Sequence, residues 1–192
     1  MNIQSAIIGG AKILESKLIS SAYLDSEILM TKAINRDKKY LLLNAKKNIN
    51  GKNLFFFQKL IDERSKGKPI SHLTNKKFFW NSEFYVTEET LIPRPDTELI
   101  VENVLKLTKN KIKVSILDIG VGSGCILLSI LQQRRDFYGT GLDVSKNCVK
   151  ISNKNAIKLN VHTRLKLFNS NVDKFNFGKY DLIVSNPPYI KK

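Results

Sequence analysis

Five residues, Gly120-Val121-Gly122-Ser123-Gly124, lie between an apolar run at 114–119 and an apolar stretch at 125–133, and they leave few folds open. The first run, ending Leu117-Asp118-Ile119, is short and rich in β-branched residues, as a buried strand should be. The second has the length and apolar faces of a helix. Strand, glycine loop and helix in that order open a parallel α/β sheet that binds a nucleotide-like ligand. The glycines let a ligand approach the backbone, and the helix start favours a carboxylate or phosphate. The spacing is G-x-G-x-G, which differs from the G-x-G-x-x-G of dinucleotide enzymes. Asp118 stands two residues before the first glycine. A carboxylate there suits a neighbouring cation better than a pyrophosphate.

The rest of the second half extends this unit. A strand at 138–143 ends on Asp143, about twenty residues past the loop, where an acid accepts ribose hydroxyls. A helix at 146–159 and a third strand at 165–168 follow. The ligand therefore has a ribose, a cationic part and an anionic tail, and S-adenosyl-L-methionine has all three. A fourth apolar run at 180–185 reads as a buried strand and delivers Asn186-Pro187-Pro188-Tyr189. An asparagine side chain has one acceptor oxygen and two donor hydrogens. The prolines contribute carbonyl acceptors and no N–H donors. Such a corner suits a planar NH2 group, with two N–H bonds accepted and one face stacked on the tyrosine ring.

The first half is different. Ile3, Ile7, Ala11, Leu14 and Leu18 form one helical stripe, weakened by Gly9 and Gly10. Ser21 is placed to cap a second helix burying Leu24, Ile28 and Leu29. A short third helix covers residues 40–43. Asn53 caps a fourth that buries Leu54, Phe57, Leu60 and Ile61 and ends near Gly67. Next, Phe78-Phe79-Trp80 and Phe84-Tyr85-Val86 flank a tight turn at Asn81-Ser82. Their aromatics would pack between two domains or wall a ligand. Asp96 then caps a helix burying Leu99, Ile100, Val104 and Leu105, and Arg94 between two prolines would pair with an acid or touch ligand.

Composition narrows the class further. The chain of 192 residues is 42% hydrophobic and 26% charged, which is globular. It has no apolar run long enough to span a bilayer and no signal-peptide pattern at its start. Cys125 and Cys148 lack metal-type spacing and read as packed cytosolic thiols. The net charge of +15 fits an acidic or nucleic-acid partner. It fits equally a compositional excess of scattered lysines.

Three stretches together resemble one family. Residues 91–98, containing Pro93-Arg94-Pro95-Asp96-Thr97-Glu98, the 118–124 loop and Ser185-Asn186-Pro187-Pro188-Tyr189-Ile190 look like the release-factor glutamine N5-methyltransferases, the HemK/PrmC family. The likeness runs over nearly the whole chain. It implies an α/β fold: a helical recognition domain at 1–74, a β-hairpin and linker at 75–95, and a Rossmann-like class I methyltransferase domain at 96–192. It also implies a cytoplasmic, monomeric enzyme with no membrane or metal, which uses S-adenosyl-L-methionine on the Gly-Gly-Gln glutamine of peptide-chain release factors. Any nucleic-acid contact would then be indirect. Carried over by position, Asp118, Gly120, Val121, Gly122, Ser123, Gly124, Asp143 and Asn186 would hold the cofactor, with Asn171 and Val172 near its adenine. Asn186, Pro187, Pro188 and Tyr189 would hold the glutamine, and Asn186, Pro187 and Tyr189 would act in catalysis. Val121 replaces the family's usual threonine, and Asn171-Val172 replaces an acidic-aromatic pair. Family members continue past the tetrapeptide to about seven strands, so the expected sheet is incomplete after its fourth. Two rival readings are a truncated remnant that binds release factor without methylating it, and a nucleic-acid amino-methyltransferase acting on adenine N6 or guanine N2.

Overall fold

Local chemistry explains where the elements begin. The computed structural model describes residues 1–187 and divides into two units, Met1–Asn75 and Lys76–Lys192. In the first, Asn2 accepts from the Ser5 N–H at 2.8 Å and starts helix α1, Ile3–Glu15. Helix α2 is Ala22–Ile34, α3 is Lys38–Leu43 behind an Asp37 cap, and α4 is Gly51–Ser65. A five-residue helix, α5, covers Ile70–Thr74. The cap of α4 is Asn50, whose side chain accepts from Asn53 N–H at 2.8 Å, so the cap lies one turn before the asparagine that the sequence suggests. Ser21 makes no capping bond to α2.

The core of this unit joins Ile3, Ile7, Leu14, Leu29, Met30, Phe57, Leu60 and Ile61. Leu18 and Leu24, expected inside, are 95% and 52% exposed. Helix α1 stops at Glu15, and Leu18 takes a left-handed φ of 59°, which removes it from the stripe. Gly10 has the opposite fate. Rather than only weakening α1, it marks a close crossing. A Cβ there would lie 2.6 Å from Ser26 Oγ and 2.9 Å from both Ile61 Cδ1 and Phe57 Cζ. Ser26 Oγ donates to the Ile7 carbonyl at 2.8 Å across the same crossing. Buried Asp25 is compensated by Arg64, with Nε 2.7 Å from Oδ2. Removing one partner of such a pair typically costs about 3–5 kcal/mol.

The second unit opens with hairpin β1, Lys76–Phe79, and β2, Ser82–Tyr85. Phe79 faces Ser82 in the register, so the turn is Trp80-Asn81, one residue earlier than the sequence suggests. Phe79, Phe84 and Val86 belong to this unit's own core, along with Val101, Val104 and Ile116. A 3-10 turn at Pro95–Thr97 leads into α6, Glu98–Leu107. Asp96 lies inside that turn and makes no cap. Leu99 is exposed, because α6 buries Val101 and Val104 instead.

The remaining elements alternate as the sequence predicts: β3 Ser115–Ile119, α7 Cys125–Gln133, β4 Tyr138–Asp143, α8 Lys146–Lys158, β5 Leu165–Asn169 and β6 Leu182–Ser185. The sheet order is β5-β4-β3-β6, and each neighbouring pair is parallel. In α7 every residue from Ile126 to Leu131 is buried. Full burial of each large apolar side chain contributes about 1.5–3 kcal/mol. Strand β6 is less enclosed than expected. Val184 is buried but Ile183 is 60% exposed, since β6 is the sheet's edge among the described residues.

Candidate active site

Parallel strands put all their carboxyl ends at one rim, and the sequence-predicted residues gather there. Chain order reverses between β3 and β6, the place where open α/β sheets bind ligands. Ile119 pairs with Ser185 in the register, so Gly120 and Asn186 leave adjacent strands side by side. Ser185 Oγ donates to the Ile119 carbonyl at 2.8 Å and ties the two ends together. The end of β4 delivers Asp143. The turn after β5 holds Asn171 and Val172, both exposed, with Asn171 capping a 3-10 turn. Pro188 and Tyr189 lie outside the described residues.

The glycine loop is built by its backbone. Gly120, Gly122 and Gly124 have φ of 78°, 54° and 82°, which side chains with a Cβ disfavour. Gly120 and Val121 N–H donate to the Leu142 carbonyl at 2.9 and 2.8 Å. Gly122 N–H donates to Asp143 Oδ2 at 2.9 Å, and Ser145 N–H donates to Oδ1 at 2.8 Å. Asp143 thus holds the loop in place, and each oxygen keeps a second lone pair for a hydroxyl. A Cβ on Gly120 would meet nothing within 4 Å, whereas one on Gly124 would lie 2.6 Å from Ser152 Oγ. The loop is therefore open on one side and packed against α8 on the other.

Two acid groups beneath this loop are strongly perturbed. Asp118 is 1% exposed, and its Oδ1 takes no hydrogen bond among the described residues. Burial pushes its carboxyl up to about 7; the Leu127 N–H opposes this and the Asp143 charge adds to it. Burial also pushes the Cys125 thiol up to about 12, so it stays protonated and unreactive at neutral pH. Among the described residues no cluster of three His, Cys, Asp or Glu side chains could hold a metal, and no helix is long and apolar enough to cross a membrane.

Sequence reasoning missed two side chains of this site. Asn155, on α8, is fully buried. Its Nδ2 donates to the carbonyls of Ser123 at 2.8 Å and Tyr85 at 2.9 Å, while its Oδ1 accepts from Tyr85 N–H at 2.8 Å. One asparagine so joins the glycine loop, the hairpin and α8. Its signal was an amide on the apolar face of α8, in phase with Cys148, Ile151 and Ser152. The second is Thr97, whose Oγ1 accepts from Asn186 Nδ2 at 3.1 Å. It sits inside the proline-rich segment singled out from the sequence. Arg94, from that segment, is exposed.

Sheet order, glycine loop and rim-facing asparagine define an α/β protein of the nucleotide-binding class. Residues 95–192 match the methyltransferase small domain and residues 5–74 the PrmC N-terminal domain. The chain belongs to the methyltransferase small domain family. It is similar to the release factor glutamine methyltransferase of Leptospira interrogans, with 40% identity over 93% of this chain and 64% of that protein. The protein of the same name from Buchnera aphidicola subsp. Baizongia pistaciae is 38% identical over 91% of this chain and 62% of its own length. A bifunctional methyltransferase of Rickettsia bellii is 34% identical over 98% of this chain and 39% of its own length. The chain thus spans less than two thirds of each of these relatives.

Proposed function

We propose that this chain transfers a methyl group from S-adenosyl-L-methionine to the side-chain amide nitrogen of the glutamine in the Gly-Gly-Gln loop of peptide-chain release factors. It acts in translation termination, in the cytoplasm. The observation that carries this reading is Asn186 at the end of β6, side by side with the glycine loop of β3 at the reversal of strand order. The names of the similar proteins support the substrate.

The residues present fit the cofactor. The open face at Gly120 admits a ligand against the backbone, and the Asp118 oxygen that takes no hydrogen bond among the described residues would be completed by a cationic group. Gly120, Val121, Gly122, Ser123 and Gly124 would hold it by main chain, Asp143 by its ribose hydroxyls, and Asn171 and Val172 beside its base. When bound, S-adenosyl-L-methionine supplies an electrophilic methyl on a sulfonium.

The protein's own task is to prepare the nucleophile. An amide nitrogen attacks weakly because its lone pair is delocalised into the carbonyl. Asn186 Oδ1 and the Pro187 carbonyl accept the two N–H bonds of the substrate amide and aim its lone pair. Pro187 has no N–H to face those donors. Positive charge grows on the nitrogen as the new bond forms, so both acceptors tighten in the transition state. No base is needed before transfer; the proton leaves afterwards. By resemblance Pro188 and Tyr189 are also assigned to the substrate glutamine, and the helical unit would grip the release factor.

The test is methyl transfer from radiolabelled S-adenosyl-L-methionine to purified release factor. Label should appear on the Gly-Gly-Gln peptide and be absent when that glutamine is alanine. Label on added RNA or DNA instead of the release factor would overturn the reading.

A further inference from the structure

We infer that Thr97 is the positioning residue that anchors the Asn186 carboxamide at the end of β6, an inference that rests on the methyl-transfer reading above. A carboxamide has two ends of nearly equal size and opposite hydrogen-bonding sense. Only one orientation presents an acceptor oxygen to a substrate NH2. The flipped orientation sets NH2 against NH2, and the substrate amide is then repelled.

The structure holds the carboxamide in one of them. Asn186 Nδ2 donates to Thr97 Oγ1 at 3.1 Å, joining residues 89 positions apart. With its NH2 end anchored there, the carboxamide turns its oxygen end the other way. The anchor is itself rigid. Thr97 is 8% exposed, and its N–H donates to the Arg94 carbonyl at 3.1 Å, closing the 3-10 turn that starts at Pro95. Helix α6 begins at the next residue and buries Val101 and Val104 in the core. The proline-rich segment therefore has a physical purpose: it fixes a hydroxyl within hydrogen-bond reach of the carboxamide at the end of β6.

Thr97→Val keeps the shape and removes the acceptor, and Thr97→Ser keeps the hydroxyl. With active enzyme counted by bound cofactor, Thr97→Val should lower kcat by roughly 10–100-fold. KM for S-adenosyl-L-methionine should stay within about twofold, and Thr97→Ser should restore kcat to within about threefold. A merely structural threonine would lower the melting temperature without this split. A second readout needs no turnover: the side-chain amide NMR signals of Asn186, assigned by their loss in Asn186→Ala. They should show slow hydrogen exchange and high order in the wild type, lose both in Thr97→Val and regain them in Thr97→Ser. Unchanged Asn186 signals in Thr97→Val, or equal kcat losses in the Val and Ser variants, would overturn the inference. A wild-type chain that transfers no methyl overturns the reaction, while the amide signals still decide the contact.

Discussion

Replacing Asp118 by asparagine should make the second unit more stable at pH 8 and leave it unchanged at pH 4. Asp118 lies within β3, between Gly141 of β4 and Val184 of β6, and is 1% exposed. Burial holds its carboxyl at about 7, against 3.8 in the unfolded chain. Between those values the folded state keeps a proton that the unfolded state has lost. Unfolding free energy therefore falls as pH rises from about 4 to about 7, then levels. A shift of about three units at about 1.4 kcal/mol each amounts to about 4 kcal/mol. Asparagine has the same shape and no charge, so this slope should vanish. Urea denaturation followed by fluorescence measures it cleanly. The chain has 1 tryptophan, Trp80, in the same unit. At roughly 2 kcal/mol per molar urea, the midpoints at pH 8 should differ by about 2 M. S-adenosyl-L-methionine should bind the wild type more tightly as pH rises through 7, because its cation favours the ionised acid. The variant should bind weakly and without this rise. Stability curves for the two proteins that run parallel from pH 4 to 8 would refute the burial argument.

Other substitutions test the remaining links. Gly10→Ala should destabilise the helical unit by about 1–3 kcal/mol through overpacking. Gly9→Ala, with open space around its Cβ, should stabilise it by about 0.5–1 kcal/mol; thermal circular dichroism separates the two. Asn155→Ala strands the Ser123 and Tyr85 backbone groups and should cost about 2–4 kcal/mol. Calorimetry should also show at least a tenfold loss of cofactor affinity, and unchanged affinity would separate Asn155 from the loop. Asn186→Ala should reduce kcat by roughly 10²–10³-fold and leave cofactor affinity nearly unchanged; equal loss of both would refute its assignment to the substrate amide.

Much of the fold is readable from short segments because local sterics and period encode it. Strand ends at Ile119, Asp143 and Ser185 follow from apolar runs stopped by turn residues. The three loop glycines mark positions of positive φ. Helical period finds the phase of each stripe but not its width or end. That is why Leu18, Leu24 and Leu99 were expected inside and lie exposed, while Gly10 turned out to be a packing contact. Cap assignment failed for a similar reason: Asn50 and Asn53 are one turn apart, and either could cap a helix whose start is set by its neighbours.

The sequence alone determined the order of strands and helices, the glycine loop and the identity of the rim residues, since each depends on interactions within a few residues. Tertiary structure alone decided what surrounds them. Asn155 reaches partners 32 and 70 positions away, and Asn186 reaches Thr97 across 89. The perturbed Asp118 carboxyl likewise exists only once strands and helices close over it. Hydrogen bonds of that range and burial of that depth arise from packing; a local pattern such as the amide on the apolar face of α8 marks the buried group but not its partners.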